Sequence, residues 1–459
     1  MARWLVYTSI LLGACPSKTH VVEPTAKPEP VDPDGPHREA IAAQVKPFID
    51  GEIVTGMVVA TWDAGRREIY GFGKGPGGKP PTGHTLFEIG PVTTVYTSLL
   101  LADSVQRREV ALDKPVAELL PPGVTVPVFN KHPITLGQLA LNASGLPPIP
   151  PSSTRELDKP DRFGAYTEDR LYDDLVHTQL RWEPGAHLVD STFGTGLLGF
   201  ALGRKIGGGY TTALATRVLK PLKLADTYVQ VPPDAAARRA TGTNDDLAAT
   251  QPWTWNALAG GGGIVSTASD LLELIDAEID AATGSKAPLR AAMRLTQESQ
   301  LDKDGANLAL GWRVDALGRL FRNGTTGGFH AFVGFDPKAR QGIVILASTS
   351  VSIVDRLATN LYKVLGGETP EPAVFPTPEQ LVALAGNYEL AGTKVQILVN
   401  GKRLYIDGDG VHQRLVPMTA TEFWIEELPA VAVFEQEKDK FVRIVFAIGQ
   451  QRINAVRVD

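Results

Sequence analysis

FEIGPVTTVYTSLLLADS, residues 87–104, is the stretch from which the fold can be read. After Pro91 the apolar residues Val92, Val95, Tyr96, Leu99 and Leu100 recur at the spacing of one buried helix face. Proline is tolerated at the first helical position, where its missing N–H would have no intrahelical partner anyway. The segment therefore predicts a core helix that begins at Pro91, led in by Phe87-Glu88-Ile89-Gly90.

Upstream, two strand-like runs, Ile53–Trp62 and Glu68–Phe72, flank the turn Asp63-Ala64-Gly65, and a helix precedes them through Ile41, Val45, Phe48 and Ile49. Residues 73–83 are rich in Gly, Pro and Lys and read as a surface loop. Downstream, strand signals lie at Leu310–Val314, Ala331–Phe335 and Gly342–Ala347, followed by a helix through Ile353, Leu357, Leu361 and Val364. Strands near both ends with helices between them imply one mixed sheet completed by distant segments, with a helical insertion. Beyond a Pro-rich stretch at 366–378, the short alternating runs Val395–Val399, Arg403–Ile406, Glu422–Ile425, Val431–Glu435 and Phe441–Phe446 predict a small all-β barrel or half-barrel.

The charge balance narrows the partners. A net charge of −6 without a run of Lys or Arg argues against nucleic acid. With a single cysteine, the chain owes nothing to internal disulfides. That cysteine, Cys15, follows Arg3, the apolar stretch Trp4–Leu12 and Gly13-Ala14, a pattern of an export signal too short to span a bilayer. Leu12-Gly13-Ala14-Cys15 resembles a bacterial lipobox, which implies lipidation of Cys15 and a membrane-anchored, cell-envelope lipoprotein. Residues 15–36 then read as a disordered, Pro-rich tether. The expected organisation is signal peptide 1–14, tether 15–36, main domain 37–365, linker 366–378 and β domain 379–459.

Several segments, in order, are similar to the serine β-lactamase/penicillin-binding-protein family, especially its class C-like and D,D-peptidase branch. They are Phe87-Glu88-Ile89-Gly90, Val110–Val116, Ile134-Thr135-Leu136 through Ser144-Gly145-Leu146-Pro147, Pro184-Gly185 with Gly196–Gly199, Gly260–Leu271, and Asn323-Gly324 with Gly327-Gly328-Phe329. The resemblance implies an α/β (α+β) fold: a mainly antiparallel sheet flanked by helices, a helical subdomain, and a cleft between them. The last domain resembles a lipocalin-like module.

The resembled family works by nucleophilic catalysis with three motifs, and this chain departs from each. The first, S-x-x-K, places a serine and its base one turn apart on a helix; those positions hold Pro91 and Thr94. Proline lacks both the hydroxyl and the N–H that serves the family as an oxyanion donor, and losing one such donor costs about 3 kcal/mol in comparable sites. The second, Y-x-N, falls on Asp190 and Thr192, with Ser191 between. The third begins at Arg322, in Arg322-Asn323-Gly324, and arginine keeps its charge but does not shuttle protons. Thr325 would supply the second oxyanion N–H. Ser191, Thr93 and Thr94 read as caps or solvated hydroxyls rather than displaced nucleophiles. His187 and His330 read as packed or solvated, and Trp253 and Trp255 as buried aromatics.

Asp190 and Arg322 replace groups that face each other across the family's cleft, so they are expected to approach within salt-bridge distance. The resulting expectation is a catalytically inactive, lipid-anchored family member without cofactor or metal. Its cleft, with Ser191, Asn323, Gly324 and Thr325, would take a cell-envelope peptide or an anionic small molecule. A weak hydrolase using non-standard residues and an assembly protein acting through the β domain are the alternatives.

Overall fold

The structure, a computed structural model, describes residues 35–458 apart from 157–158, 288, 304–305, 391, 409, 426–427, 429 and 439, and the side chains of 299–303 and 306. Cys15, the export signal and most of the tether thus lie outside the described residues. Helix α1 (Arg38–Asp50) precedes the hairpin β1 (Gly56–Asp63) and β2 (Arg66–Gly73). Helix α2 (Thr93–Gln106) opens the helical part, which includes α3 (Thr192–Ile206) and α4 (Ala268–Ala282). The sheet resumes with β3 (Ser299–Lys303), β4 (Ala306–Ala309), β5 (Arg313–Val314), β6 (Leu320–Thr325), β7 (His330–Asp336) and β8 (Gln341–Ala347), and α5 (Arg356–Leu365) follows.

The eight strands run in the order β2-β1-β8-β7-β6-β5-β4-β3. Distant ends of the chain meet where β1 pairs with β8, Val59 opposite Ile345. Every pairing in this sheet is antiparallel, so the mixed sheet suggested by the element order is not formed. Side chains alternate between two buried layers. Val58, Ala60 and Trp62 pack toward the α2 side, while Met57 and Val59 pack with Ile41, Val45, Leu357 and Leu361 of α1 and α5. Because both faces are covered, these strands read as apolar runs rather than clean alternation.

Helix α2 lies deeper than its periodicity suggested: every residue from Thr93 to Ser104 is buried. Its polar residues are accommodated by specific partners, as where Thr97 Oγ1 donates to Gly260 O at 2.7 Å. The Gly260–Gly263 run permits close contact, since a Cβ on Gly199 of α3 would meet Gly260 Cα at 2.7 Å. The expected strand Leu310–Val314 is interrupted, because Gly311 adopts φ +79° against Thr94 and Ser98 of α2.

The C-terminal part is a closed, antiparallel, eight-stranded barrel: β9 (Gly386–Leu390), β10 (Thr393–Asn400), β11 (Arg403–Gly408), β12 (Val411–Pro417), β13 (Glu422–Ile425), β14 (Ala430–Glu437), β15 (Lys440–Ile448) and β16 (Gln451–Arg457). Tyr388 of β9 pairs with Arg457 of β16 to close it. Helix α6 (Pro378–Leu384), capped by Thr377, buries Leu381 and Leu384 in the barrel core. The Pro-rich stretch before it is pinned to the main core, where Phe375 stands edge-on to Phe48 at 5.0 Å. Among the described residues no helix is long and apolar enough to cross a membrane.

Candidate functional site

A turn of 3-10 helix, Gly90–Val92, carries the chain into α2 and puts Pro91 at its mouth. Strand β6 passes directly beside it. A Cβ on Gly324 would lie 2.4 Å from Ile89 O and 2.7 Å from the Pro91 nitrogen, so only glycine allows this approach. Strand alternation then points Arg322 and Gly324 toward α2, and Asn323 and Thr325 toward the opposite face. The N-terminus of α3 completes the cleft.

One cavity of about 260 Å³ is lined by all nine residues singled out from the motifs: Pro91, Thr94, Asp190, Ser191, Thr192, Arg322, Asn323, Gly324 and Thr325. His187, by contrast, is exposed and lies against Trp182. Trp253 and Trp255 line a separate cavity of about 480 Å³ together with Arg239 and Glu88. Among the described residues no cluster of three His, Asp or Glu converges as metal ligands.

The hydroxyls nearest the mouth have structural partners. Ser191 caps α3, accepting from Gly194 N at 2.9 Å while donating to Pro147 O at 2.6 Å. Thr93 Oγ1 accepts from Ile264 N at 3.1 Å. Thr94 is buried, and its hydroxyl's contact to Gly311 O is long at 3.5 Å. Each of these roles fixes a backbone segment rather than activating an oxygen.

The cleft centre is ionic. Asp190 Oδ1 pairs with Arg322 Nη2 at 3.0 Å, which is the contact expected from the sequence. Two partners were not anticipated: Arg313 donates to Asp190 Oδ2, and Asn142 Nδ2 donates to Asp190 Oδ1 at 3.0 Å. Asn142 also accepts the Ser191 N–H at 3.1 Å, so it locks the segment that presents Asp190. Partial burial works to raise the Asp190 pKa, but the Arg322 and Arg313 guanidinium groups outweigh it and hold the carboxyl below its ordinary value. Two guanidinium groups share one carboxylate here, which leaves a local surplus of positive charge beside half-exposed Asp190. Arg313 lies inside the strand signal Leu310–Val314, and nothing in its local pattern marks it as a cleft residue.

On the other face of β6, His330 is buried and hydrogen-bonded at both ring nitrogens: Nδ1 to Thr325 Oγ1 and Nε2 to Asp355 Oδ1, each at 2.7 Å. Asn323 Nδ2 holds the second oxygen of Asp355 at 2.5 Å. His330 is packed, and one of its two polar partners, Asp355, stands on a distant turn that no local spacing marks.

Comparison with known proteins agrees with this architecture. The Beta-lactamase family profile matches residues 41–368. The chain is 26% identical over 373 residues to the D-alanyl-D-alanine-carboxypeptidase/endopeptidase AmpH of Escherichia coli (strain K12), covering 76% of this chain and 92% of that protein. It is 25% identical to a β-lactamase of Pseudomonas fluorescens, covering 70% of this chain and 96% of the relative. A crystal structure of a class C β-lactamase superposes with a TM-score of 0.62 at 23% identity, over 72% of this chain and 97% of that one, which is a likeness of fold.

Proposed function

The chain belongs to the β-lactamase family, and from that premise we propose that it has given up the family's serine acylation and uses the cleft to bind an anionic cell-envelope ligand. The observation that carries this reading is Pro91 at the mouth of α2, facing an Asp190–Arg322–Arg313 ion cluster. A proline offers neither an oxygen to acylate nor an N–H to an oxyanion. A guanidinium pair shared by one carboxylate favours a carboxylate-bearing ligand through charge-assisted hydrogen bonds. AmpH acts, by its name, on D-alanyl-D-alanine peptides, whose terminal carboxylate suits such a site.

The same proposal includes export and anchoring through a lipid on Cys15, which fits the lipobox-like run before it. Purified protein mixed with labelled penicillin is expected to carry no acyl adduct on the 91–94 segment or on Ser191. Calorimetric titration with a D-Ala-D-Ala-terminated peptide is expected to give binding that weakens at high salt. An adduct in the α2 mouth, or peptide binding indifferent to both salt and Arg322→Gln, would overturn the reading.

A further inference from the structure

The cleft wraps around an open strand edge. Strand β5 pairs with β6 only at Leu320 and Phe321, which leaves the Arg322–Thr325 edge without a strand partner among the described residues. The cavity is therefore lined from both faces of β6, by Arg322 on one and by Thr325 and His330 on the other. On that second face a hydroxyl, an imidazole and a carboxylate stand in line, each link 2.7 Å long.

From this line we infer that Thr325 is a nucleophile toward small activated acyl esters, with His330 as its base and Asp355 as the group that orients the base. The hydrogen-bond network assigns the tautomer. Asp355 Oδ1 takes the Nε2–H, which leaves the Nδ1 lone pair for the proton of Thr325 Oγ1. Asn323 holds the other oxygen of Asp355, which favours this orientation of the carboxylate. The arrangement has the three roles that activate an alcohol in hydrolases of unrelated folds, and those roles are recognised by geometry rather than by chain position. It uses none of Pro91, Asp190, Arg322 and Arg313, on which the binding proposal rests, so it goes beyond that proposal.

The chemistry balances without any further reactant but water. As Thr325 Oγ1 attacks the acyl carbon, its proton passes to His330 Nδ1. The bond to the leaving oxygen breaks, the electron pair departs with that oxygen, and the imidazolium returns the proton to it. Water then attacks the threonyl ester, giving its proton to Nδ1, and the acid is released as Thr325 recovers its hydrogen. A half-buried secondary alcohol beside a buried imidazole admits slim acyl groups, and a leaving group of low basicity suits it best; an aryl acetate meets both conditions.

Purified full-length protein should be treated with a fluorophosphonate and, separately, with p-nitrophenyl acetate, and the adduct located by peptide mass mapping. The expected result is one adduct on Thr325, retained in Thr325→Ser. It should be lost in Thr325→Val and reduced about a hundredfold or more in His330→Gln, a range typical of losing a general base. Thermal melts identify variants that fold. A folded protein that takes no label while a serine-hydrolase control does, or a label that persists in Thr325→Val, overturns the inference. Peptide binding at Arg322 is read separately by calorimetry on the unmodified protein, so a missing adduct with binding intact defeats this inference and not the preceding one.

Discussion

Pro91 shows how a single residue keeps an element while removing its reaction. Its fixed φ suits the turn that starts α2, and the close passage of Gly324 is preserved around it. Restoring the motif residues is therefore not enough. In Pro91→Ser/Thr94→Lys, a new lysine would enter a buried position beside Arg322, which is itself buried and held by Asp190. Like charges so placed push the lysine toward its neutral form without returning the Tyr and Asn that the second motif lacks. The double variant is expected to fold yet hydrolyse nitrocefin no faster than buffer, as measured spectrophotometrically; turnover above the uncatalysed rate would show that the other two motifs are dispensable. The ordered motifs made these positions legible, because each is defined by nearby glycines and prolines in the chain. Arg313, Asn142 and Asp355 were not legible, since they reach the cleft across strand pairings and turns that no local spacing encodes.

Elements are legible where their burial leaves a period in the sequence and obscure where it does not. The barrel strand Gln451–Arg457 carries no legible signal, because Ala455 is its one buried side chain and no alternation appears. Helix α2 was expected to show one apolar face and is instead enclosed on all sides, its threonines and serines hidden among apolar neighbours. Helix α4 carries a sharper case of the same kind. Glu278 is sealed in the core, with Oε2 receiving Gln297 Nε2 at 2.5 Å and Oε1 without a hydrogen-bond partner among the described residues. Burial pushes its pKa up to about 8, against the weaker opposing pull of Gln297 and Arg290. A carboxyl whose folded pKa is raised binds more protons folded than unfolded between about 4.5 and 8, so its contribution to stability falls as pH rises through that window. Glu278→Gln, which keeps the shape and removes the titration, is expected to melt a few degrees above the parent near pH 8. The advantage should shrink toward pH 4.5. Parallel melting curves with an equal offset at both pH values would refute this account of Glu278.

At the scale of the molecule, the barrel is joined to the main domain by a polar clamp and not only by chain connectivity. Arg414 of β12 is buried and donates to Glu52 O at 2.8 Å and to Asp245 O. Beside it, Arg403 donates to Asp246 O and Tyr405 to Asp246 Oδ1, both at 2.7 Å. Val416, Met418 and Trp424 add apolar contact with the layer formed by α1 and α5. The loop held by this clamp reaches the cleft from its other side: Thr243 N donates to Gly328 O at 3.1 Å, in the turn that follows Thr325. Burial and the nearby Arg403 both work against the charge on Arg414, so its value to the fold rests on the carbonyls it satisfies. Arg414→Ala leaves those carbonyls without their donor, at about 1–3 kcal/mol for each that stays dry. Because the barrel has its own closed sheet and core, the loss should fall on the joint rather than on either part. Scanning calorimetry is then expected to show the parent melting in one transition and Arg414→Ala in two, with faster amide exchange at residues 243–250 in the variant. A single transition merely shifted to lower temperature, with exchange in that loop unchanged, would mean that the barrel and the cleft are not coupled through it.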